Sequence, residues 1–539
     1  MDVLSINEIL LIEKKTKAIE YLVASGISIS IYFIVKSYGA IVAEKQSFLI
    51  GERMNEKLLV KATAAPYSYF EDPNFYNLLQ RAQNGGGNRP SLYFLHGIEL
   101  AKNITTIIAV SSILFIIDGW LPVLLLLFIV PVIVVKLKFS RKMDNLQIEN
   151  TANERWSKYY TEVLTTNTHA KEVRTFNLSR YLILKLKNIN FLKHKQQIAL
   201  QYKQAKTEAL TTVLSYTGIY TCILYITIKS LNNAANPADI SLFLIVFTQI
   251  ITLLYATSQS VLRLYQDNLQ MTHISNFLHY KYDHDLSLKE KQGQGFEHLI
   301  LKDIFFAYPG KNDCLSNINM VFERGKTIAI VGLNGAGKST LLKIILGLYH
   351  PTDGQMILNN RVVVNSEYLR LEATAVFQDY SRFNFTLKEC ICLGNTDQPF
   401  DEPLFNKACQ VSGIDSIMKH LPAGINTLLG NVFPGGKELS LGQWQKIALA
   451  RCLYSNRSII ILDEASSAFD AHSEHQLFKD LKAYYPDKTF IIVSHRYHTV
   501  KNADNIYVLE NGGIIEEGES KALISKNGYY SSIFNLARS

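Results

Sequence analysis

A chain of 539 residues is too long for one compact core and should divide into two or three domains. Its net charge of +8 could suit nucleic acid, but most of the basic residues flank apolar runs, which excludes a polynucleotide partner in favour of a membrane surface. Mean hydropathy is slightly positive although 19% of the residues are charged, so the apolar residues must be concentrated, and they lie in the first half.

The first twenty residues, with Glu8, Glu13, Lys14, Lys15 and Lys17, lack the charged, apolar, then small order of a cleavable signal peptide. Five apolar segments follow, at 21–42, 101–117, 120–135, 207–228 and 240–258. Each approaches the roughly 20 residues with which a helix crosses a bilayer, the second and third needing their flanks. Asp118-Gly119 predicts a tight hairpin between the second and third, and LNNAANPAD a short polar loop between the fourth and fifth.

The other two connections, 43–100 and 136–206, are long. The second, at 1.5 Å rise per residue, suffices for two helical arms reaching about 40 Å beyond the bilayer with a short helix between them. It carries Lys138, Arg141, Lys142, Arg155, Lys158, Lys171, Arg174 and Arg180, whereas the short turns hold only Lys229, so the long loops are expected to face the cytoplasm. Five spans ending in the cytoplasm would leave Lys14, Lys15 and Lys17 outside, against the positive-inside rule. Either a first span is absent from this chain, or residues 5–20 form an amphipathic helix on the membrane surface.

Beyond residue 258 the apolar character fades, and DHDLSLKEKQGQG is a polar linker. The expected organisation is therefore an all-α transmembrane domain at 1–282, a linker at 283–297 and an α/β P-loop domain at 298–539. Strands are predicted at 299–306, 327–331, 459–462 and 490–493, each leading into a turn of polar or glycine residues. The six cysteines are scattered, and only Cys390 and Cys392 lie close together, so free reduced thiols in a cytosolic setting are expected.

The strand IAIV runs into GLNGAGKST at 332–340, a full match to G-x-x-x-x-G-K-[ST], and then into the helix-like LLKIILGL. Here glycines let backbone N–H groups turn inward around a phosphate and the helix N-terminus adds partial positive charge. Lys338 bridges the β- and γ-phosphates of ATP, and Ser339 ligates Mg²⁺. Downstream, IIILDEAS puts Asp463 and Glu464 at the end of an apolar strand, the first as a Mg²⁺ ligand and the second able to polarise the attacking water.

The ordered series Tyr308 in FAYPG, GLNGAGKST, Gln378 in VFQD, LSLGQ at 439–443, ILDE, SAFD and His495 in VSHR resembles the nucleotide-binding domain of ABC transporters, over the C-terminal 240 residues or so. The first half is similar to the transmembrane domain of an ABC exporter of the type IV fold. That resemblance implies that Gly332, Asn334, Gly335, Ala336, Gly337, Lys338, Ser339 and Thr340 cradle ATP and that Tyr308 stacks on adenine. It implies Gln378 on Mg²⁺ and the lytic water, His495 on the γ-phosphate and Glu464 as general base. It further implies that Asp470 addresses the opposite subunit and that Ser440, Gly442 and Gln443 reach ATP held by that subunit. A twofold dimer, expected as a homodimer, would sandwich two ATP molecules. The stretches 70–76 and 170–174 look like short helices that dock on the ATPase.

Three departures from the family pattern stand out: Leu441 where glycine is usual, Phe469 where leucine is usual, and five visible spans where the fold has six. VFQDYSRFNFTL and ELSLGQWQKIALAR are similar to the same stretches of bacterial exporters of peptides such as lantibiotics. An exporter of a peptide or other amphipathic cargo is therefore expected in the cell membrane, in contact with lipid. The alternatives are a lipid or drug flippase of the same architecture, and an ATP-binding sensor or regulatory subunit. Lys36, Tyr216, Tyr220, Gln249 and Tyr255 are polar residues in the apolar segments and mark a candidate cargo path, or helix packing and snorkelling.

Overall fold

Long helices fill the N-terminal half because the apolar runs continue into polar flanks of good helix formers, and isolated residues such as Gly26, Gly39 and Pro131 are taken up within the helices. A computed structural model describes residues 3–84, 89–117, 120–232, 237–282, 295–310, 313–464, 471–494 and 496–536. By its contacts the chain divides into one unit of Met1–Ala65 with Tyr69–His284 and a second of Pro66–Ser68 with Asp285–Ser539. Most of the expected linker, at 283–294, lies outside the described residues.

The first unit contains α1 (Val3–Thr63), α2 (Tyr67–Phe70), α3 (Pro73–Asn84), α4 (Arg89–Ile117), α5 (Leu121–Glu149), α6 (Thr151–Thr165), α7 (Asn167–Thr175), α8 (Ser179–Asn232) and α9 (Pro237–Leu278). Residues 5–20 continue into the first apolar segment within α1, so they form no separate surface helix. The long arms expected at 136–206 are present as α5 and α6 on one side and α8 on the other, with α7 between them. Among the described residues one stretch, Ile19–Thr63, is long and apolar enough to cross a membrane; its most apolar part is uncovered, whereas Leu58 and Ala62 near its end are buried. Many side chains of the other four segments lie outside the described residues.

Helices α4 and α9 pack along one another through a ladder of polar pairs. Asp267, only 2% exposed, accepts from Arg89 Nη1 at 3.3 Å and pairs with His96 Nδ1 at 2.6 Å. Glu99 pairs with Arg263 at 3.8 Å, and Asn103 Nδ2 donates to Ser260 Oγ at 3.3 Å. Of the marked polar residues, Tyr255 lies under the buried Lys136, whose Nζ is 4.9 Å from the ring centre, and Lys36 stands near the Tyr32 and Phe33 rings.

The second unit contains β1 (His298–Ala307), β2 (Asp313–Glu323), β3 (Thr327–Val331), α10 (Lys338–Ile345), β4 (Asp353–Leu358), β5 (Arg361–Val362), α11 (Leu369–Glu372), β6 (Ala373–Val376), α12 (Leu387–Cys392), α13 (Glu402–Ser412) and α14 (Asp415–Met418). It continues with α15 (Leu441–Tyr454), β7 (Ile459–Asp463), α16 (Ala471–Tyr484), β8 (Thr489–Val493), α17 (Tyr497–Val500), β9 (Asn505–Glu510), β10 (Gly513–Gly518), α18 (Ser520–Ser525) and α19 (Tyr529–Leu536). One sheet runs β10-β9-β3-β8-β7-β6, parallel from β9 to β6, and a smaller antiparallel sheet runs β2-β1-β4-β5. Strand β3 reads TIAIV and is buried at every position, as a central strand covered on both faces requires. The chain is thus a helical domain followed by an α/β domain. In the latter, β3 and β7 end on the same edge of the sheet, where ligands of such sheets bind.

Candidate functional site

A cavity of about 740 Å³ opens where β3, β7 and β8 end, lined by Asn334, Gly335, Gly337, Lys338, Ser339, Thr340, Gln378, Asp463 and Glu464, with Cys314, Leu333 and Val493. The loop from β3 to α10 can fold back because Gly335 and Gly337 have φ of +86° and +101°, where a side chain is costly. A Cβ on Gly335 would meet no protein atom within 4 Å, so the loop leaves free space at that point. Gly332 instead packs closely: a Cβ there would stand 2.4 Å from the Leu509 carbonyl oxygen on β9.

Lys338 Nζ donates to the carbonyls of Gly332 and Leu333, at 2.7 and 3.0 Å, which holds the ammonium at the cavity wall. Burial lowers its pKa, against the pull of Glu464 and Asp463. Asp463 goes the other way: burial, then the adjacent Glu464 carboxylate, push it up to about 6, with partial relief from Lys338. Two crowded carboxylates opposite one ammonium, beside an open loop of backbone N–H groups, leave uncompensated negative charge that a divalent cation would neutralise. Asp463 and the Ser339 hydroxyl, which line the cavity together, fit Mg²⁺ in this respect and would hold it.

Glu464 sits in the left-handed region at φ +49°, uncommon for a residue with a long side chain. Its N–H donates to the Val493 carbonyl at 3.0 Å, its carbonyl accepts from Gln445 Nε2 at 3.2 Å, and its Oε2 accepts from Gln378 Nε2 at 2.8 Å. Buried Gln445 and the lining thiol of Cys314 were not marked by the sequence. Cys314 belongs to no motif, and Gln445 falls within ELSLGQWQKIALAR, where it stands as a polar residue among the apolar positions of α15.

Tyr308 lies outside the cavity lining. Its hydroxyl is 3.2 Å from Thr340 Oγ1, and its ring packs edge-on against Phe306 and Tyr349. Gly332 and Ala336 also stay behind the lining, as loop framework. Ser440 is the N-cap of α15: its Oγ accepts from the Gln443 N–H at 3.3 Å while Gln443 Oε1 accepts from the Ser440 N–H at 2.9 Å. Ser440, Gly442 and Gln443 do not line the cavity of their own chain. Leu441 is 60% exposed although Trp444, one turn on, is buried, and its carbonyl accepts from Tyr380 Oη at 2.8 Å. His495 and Asp470 lie outside the described residues.

The ABC transporter family model matches residues 315–467. The subtilin transport ATP-binding protein SpaT of Bacillus subtilis is 28% identical over 96% of this chain and 85% of its own length. The ATP-dependent lipid A-core flippase 2 of Colwellia psychrerythraea is 26% identical over 92% of this chain and 83% of its own. Among solved structures, a bacterial Atm1-family ABC exporter with ATP bound matches with a TM-score of 0.79 at 17% identity, covering 94% of this chain and 89% of the other, a likeness of fold.

Proposed function

From the premise that this chain is an ABC transporter, a helical domain fused to an ATPase domain and coupling ATP hydrolysis to transport, we propose that it is a multi-pass exporter of the cell membrane that moves a peptide out of the cytoplasm as a homodimer. The observation that carries the chemistry is the convergence of Lys338, Asp463, Glu464 and Gln378 on one cavity. On this reading the β- and γ-phosphates take over the Lys338 ammonium from the Gly332 and Leu333 carbonyls. Gly335, Gly337 and the N–H groups of α10 wrap the β-phosphate. Mg²⁺, held by Ser339, Asp463 and Gln378, would neutralise the developing charge. Glu464 takes the proton of the attacking water, positioned by its bond from Gln378.

The family pattern assigns the rest of the site. His495 would hold the γ-phosphate, and Tyr308 would leave Thr340 to stack on adenine. Ser440, Gly442 and Gln443 of a second copy would face the γ-phosphate, with Asp470 across the same interface. None of the three lines the cavity of its own chain, which supports a site completed by the partner.

For cargo, the similarity to a subtilin transporter spans the helical domain as well as the ATPase, and a lantibiotic such as subtilin is a peptide. The similarity to a lipid A-core flippase, nearly as extensive, supports lipid as the second reading. Reconstituted protein should hydrolyse ATP faster with amphipathic peptides and should accumulate peptide in inside-out proteoliposomes. ATP-dependent movement of labelled lipid with no peptide uptake would assign the flippase, and hydrolysis with neither would assign the sensor.

A further inference from the structure

A second cleft in the ATPase domain, of about 250 Å³, lies between α16 and the β3–β8 side of the main sheet, with Thr499 and Asn502 at its edge. Its inner wall is apolar: Leu481, Phe490 and Ile492 are buried, and Phe478 leans over them half-buried. Its mouth is basic, with His475, Lys479 and Lys482 all exposed on α16.

One polar atom inside is left over. Thr327, 4% exposed, lines the cleft, and its Oγ1 has no hydrogen-bond partner among the described residues. Buried hydroxyls are normally satisfied, and an orphan in a concave site is open to a hydrogen-bonding atom from outside the chain. The Thr327 N–H donates to Asp504 Oδ2 at 2.7 Å, and Lys482 Nζ is 3.5 Å from the same oxygen, so the orphan hydroxyl and the Lys482 ammonium stand at one end of the cleft. Asp504 offsets one of the two lysines, and Lys479 makes no ion pair among the described residues, so the mouth keeps net positive charge.

We propose that this cleft binds a small amphipathic carboxylate, of the size of a medium-chain fatty acid. The alkyl body would lie on Phe478, Leu481, Phe490 and Ile492, while the carboxylate accepts from Thr327 Oγ1 and pairs with Lys482 and Lys479. Polar groups few in number and converging at one end of an apolar cleft are the usual pattern of small-molecule sites.

The test is photolabelling of the full chain in lipid nanodiscs with an eight-carbon carboxylate bearing a diazirine, mapped by mass spectrometry. The expected result is saturable labelling within residues 475–502, competed by octanoate. It should fall about fivefold or more in the exposed double variant Lys479→Glu/Lys482→Glu, and about threefold in Thr327→Val, which removes the hydroxyl at nearly constant volume. Labelling that does not saturate overturns the proposal, and so does saturable labelling that the charge-reversed variant leaves unchanged. Equal labelling by the matching eight-carbon alcohol also overturns it, since the cations would then play no part.

Discussion

The Gln378 amide donates to the Glu464 carboxylate at 2.8 Å, joining the turn after β6 to the end of β7 across the cavity that Lys338 borders. A glutamine at 464 could still accept this bond through its carbonyl oxygen but could not take a proton from water. Glu464→Gln should therefore keep ATP affinity within a few-fold and lower turnover by two or more orders of magnitude, the scale of lost general-base catalysis. Single-turnover hydrolysis with retained radiolabelled ATP checks this; near-normal turnover would move the base elsewhere.

Two glycines of the phosphate loop should fail in different ways. Gly332→Ala drives a Cβ to 2.4 Å from the Leu509 carbonyl oxygen, so it should destabilise the ATPase domain by about 1–3 kcal/mol, as overpacking does. Gly335→Ala meets no protein atom and carries only the cost of a left-handed alanine, about 1–2 kcal/mol. Its added methyl narrows the free space by the loop, so ATP affinity should fall at least tenfold while the fold persists. Melting curves and nucleotide titrations on both variants separate the two effects.

Cys314 lines the nucleotide cavity with its Sγ 3.4 Å from Thr340 Oγ1, whereas Cys390, Cys409 and Cys452 are buried with thiol pKa values raised by desolvation. A maleimide should modify Cys314 ahead of those three, and MgATP should slow that modification about tenfold. Peptide mapping of the labelled protein reads both. Lys338→Ala should abolish the protection, and protection that survives it would place the nucleotide elsewhere.

Leu441 stands at the first position of α15 with its side chain 60% exposed and its backbone carbonyl taken by Tyr380. The Ser440–Gln443 cap does not depend on that side chain. Leu441→Gly should keep hydrolysis within a few-fold, with up to about 1 kcal/mol lost from the helix. A rise of more than tenfold, about 1.4 kcal/mol of barrier, would identify the leucine as a brake on dimer closure.

The strands β3 and β7 were legible because each is a short apolar run with a clear end: glycine follows β3 at 332, and β7 closes on the carboxylate of Asp463. What lies between motifs was not. The left-handed turn at Glu464 depends on the Val493 carbonyl of β8, 29 positions on in sequence, and nothing near residue 464 encodes it. The contact of the Tyr308 hydroxyl with Thr340, 32 positions on, has no local signal either. The apolar runs located helices but not their lengths. Segment 21–42 became the 61-residue α1, since Lys, Glu and Ala beyond the apolar run propagate a helix as readily as the run itself. Charge counting left either an absent first span or a separate surface helix at the N-terminus; for the latter, no helix-breaking residue marks the boundary that such an element needs.

The ladder between α4 and α9 acts as a splint. To slide by one helical turn, about 5.4 Å, the pair would strip Asp267 of both Arg89 and His96 and leave a buried charge unmatched, at a cost of several kcal/mol. The two helices are therefore held in one register through any rearrangement, and motion in the helical domain must pass to the seams between this rod and its neighbours, α1 and α5 among them. Cysteines introduced as Asn103→Cys and Ser260→Cys, which leave Asp267 with both partners, in a background cleared of other thiols should crosslink equally with and without ATP, and a yield that changes with nucleotide would show that the splint slips.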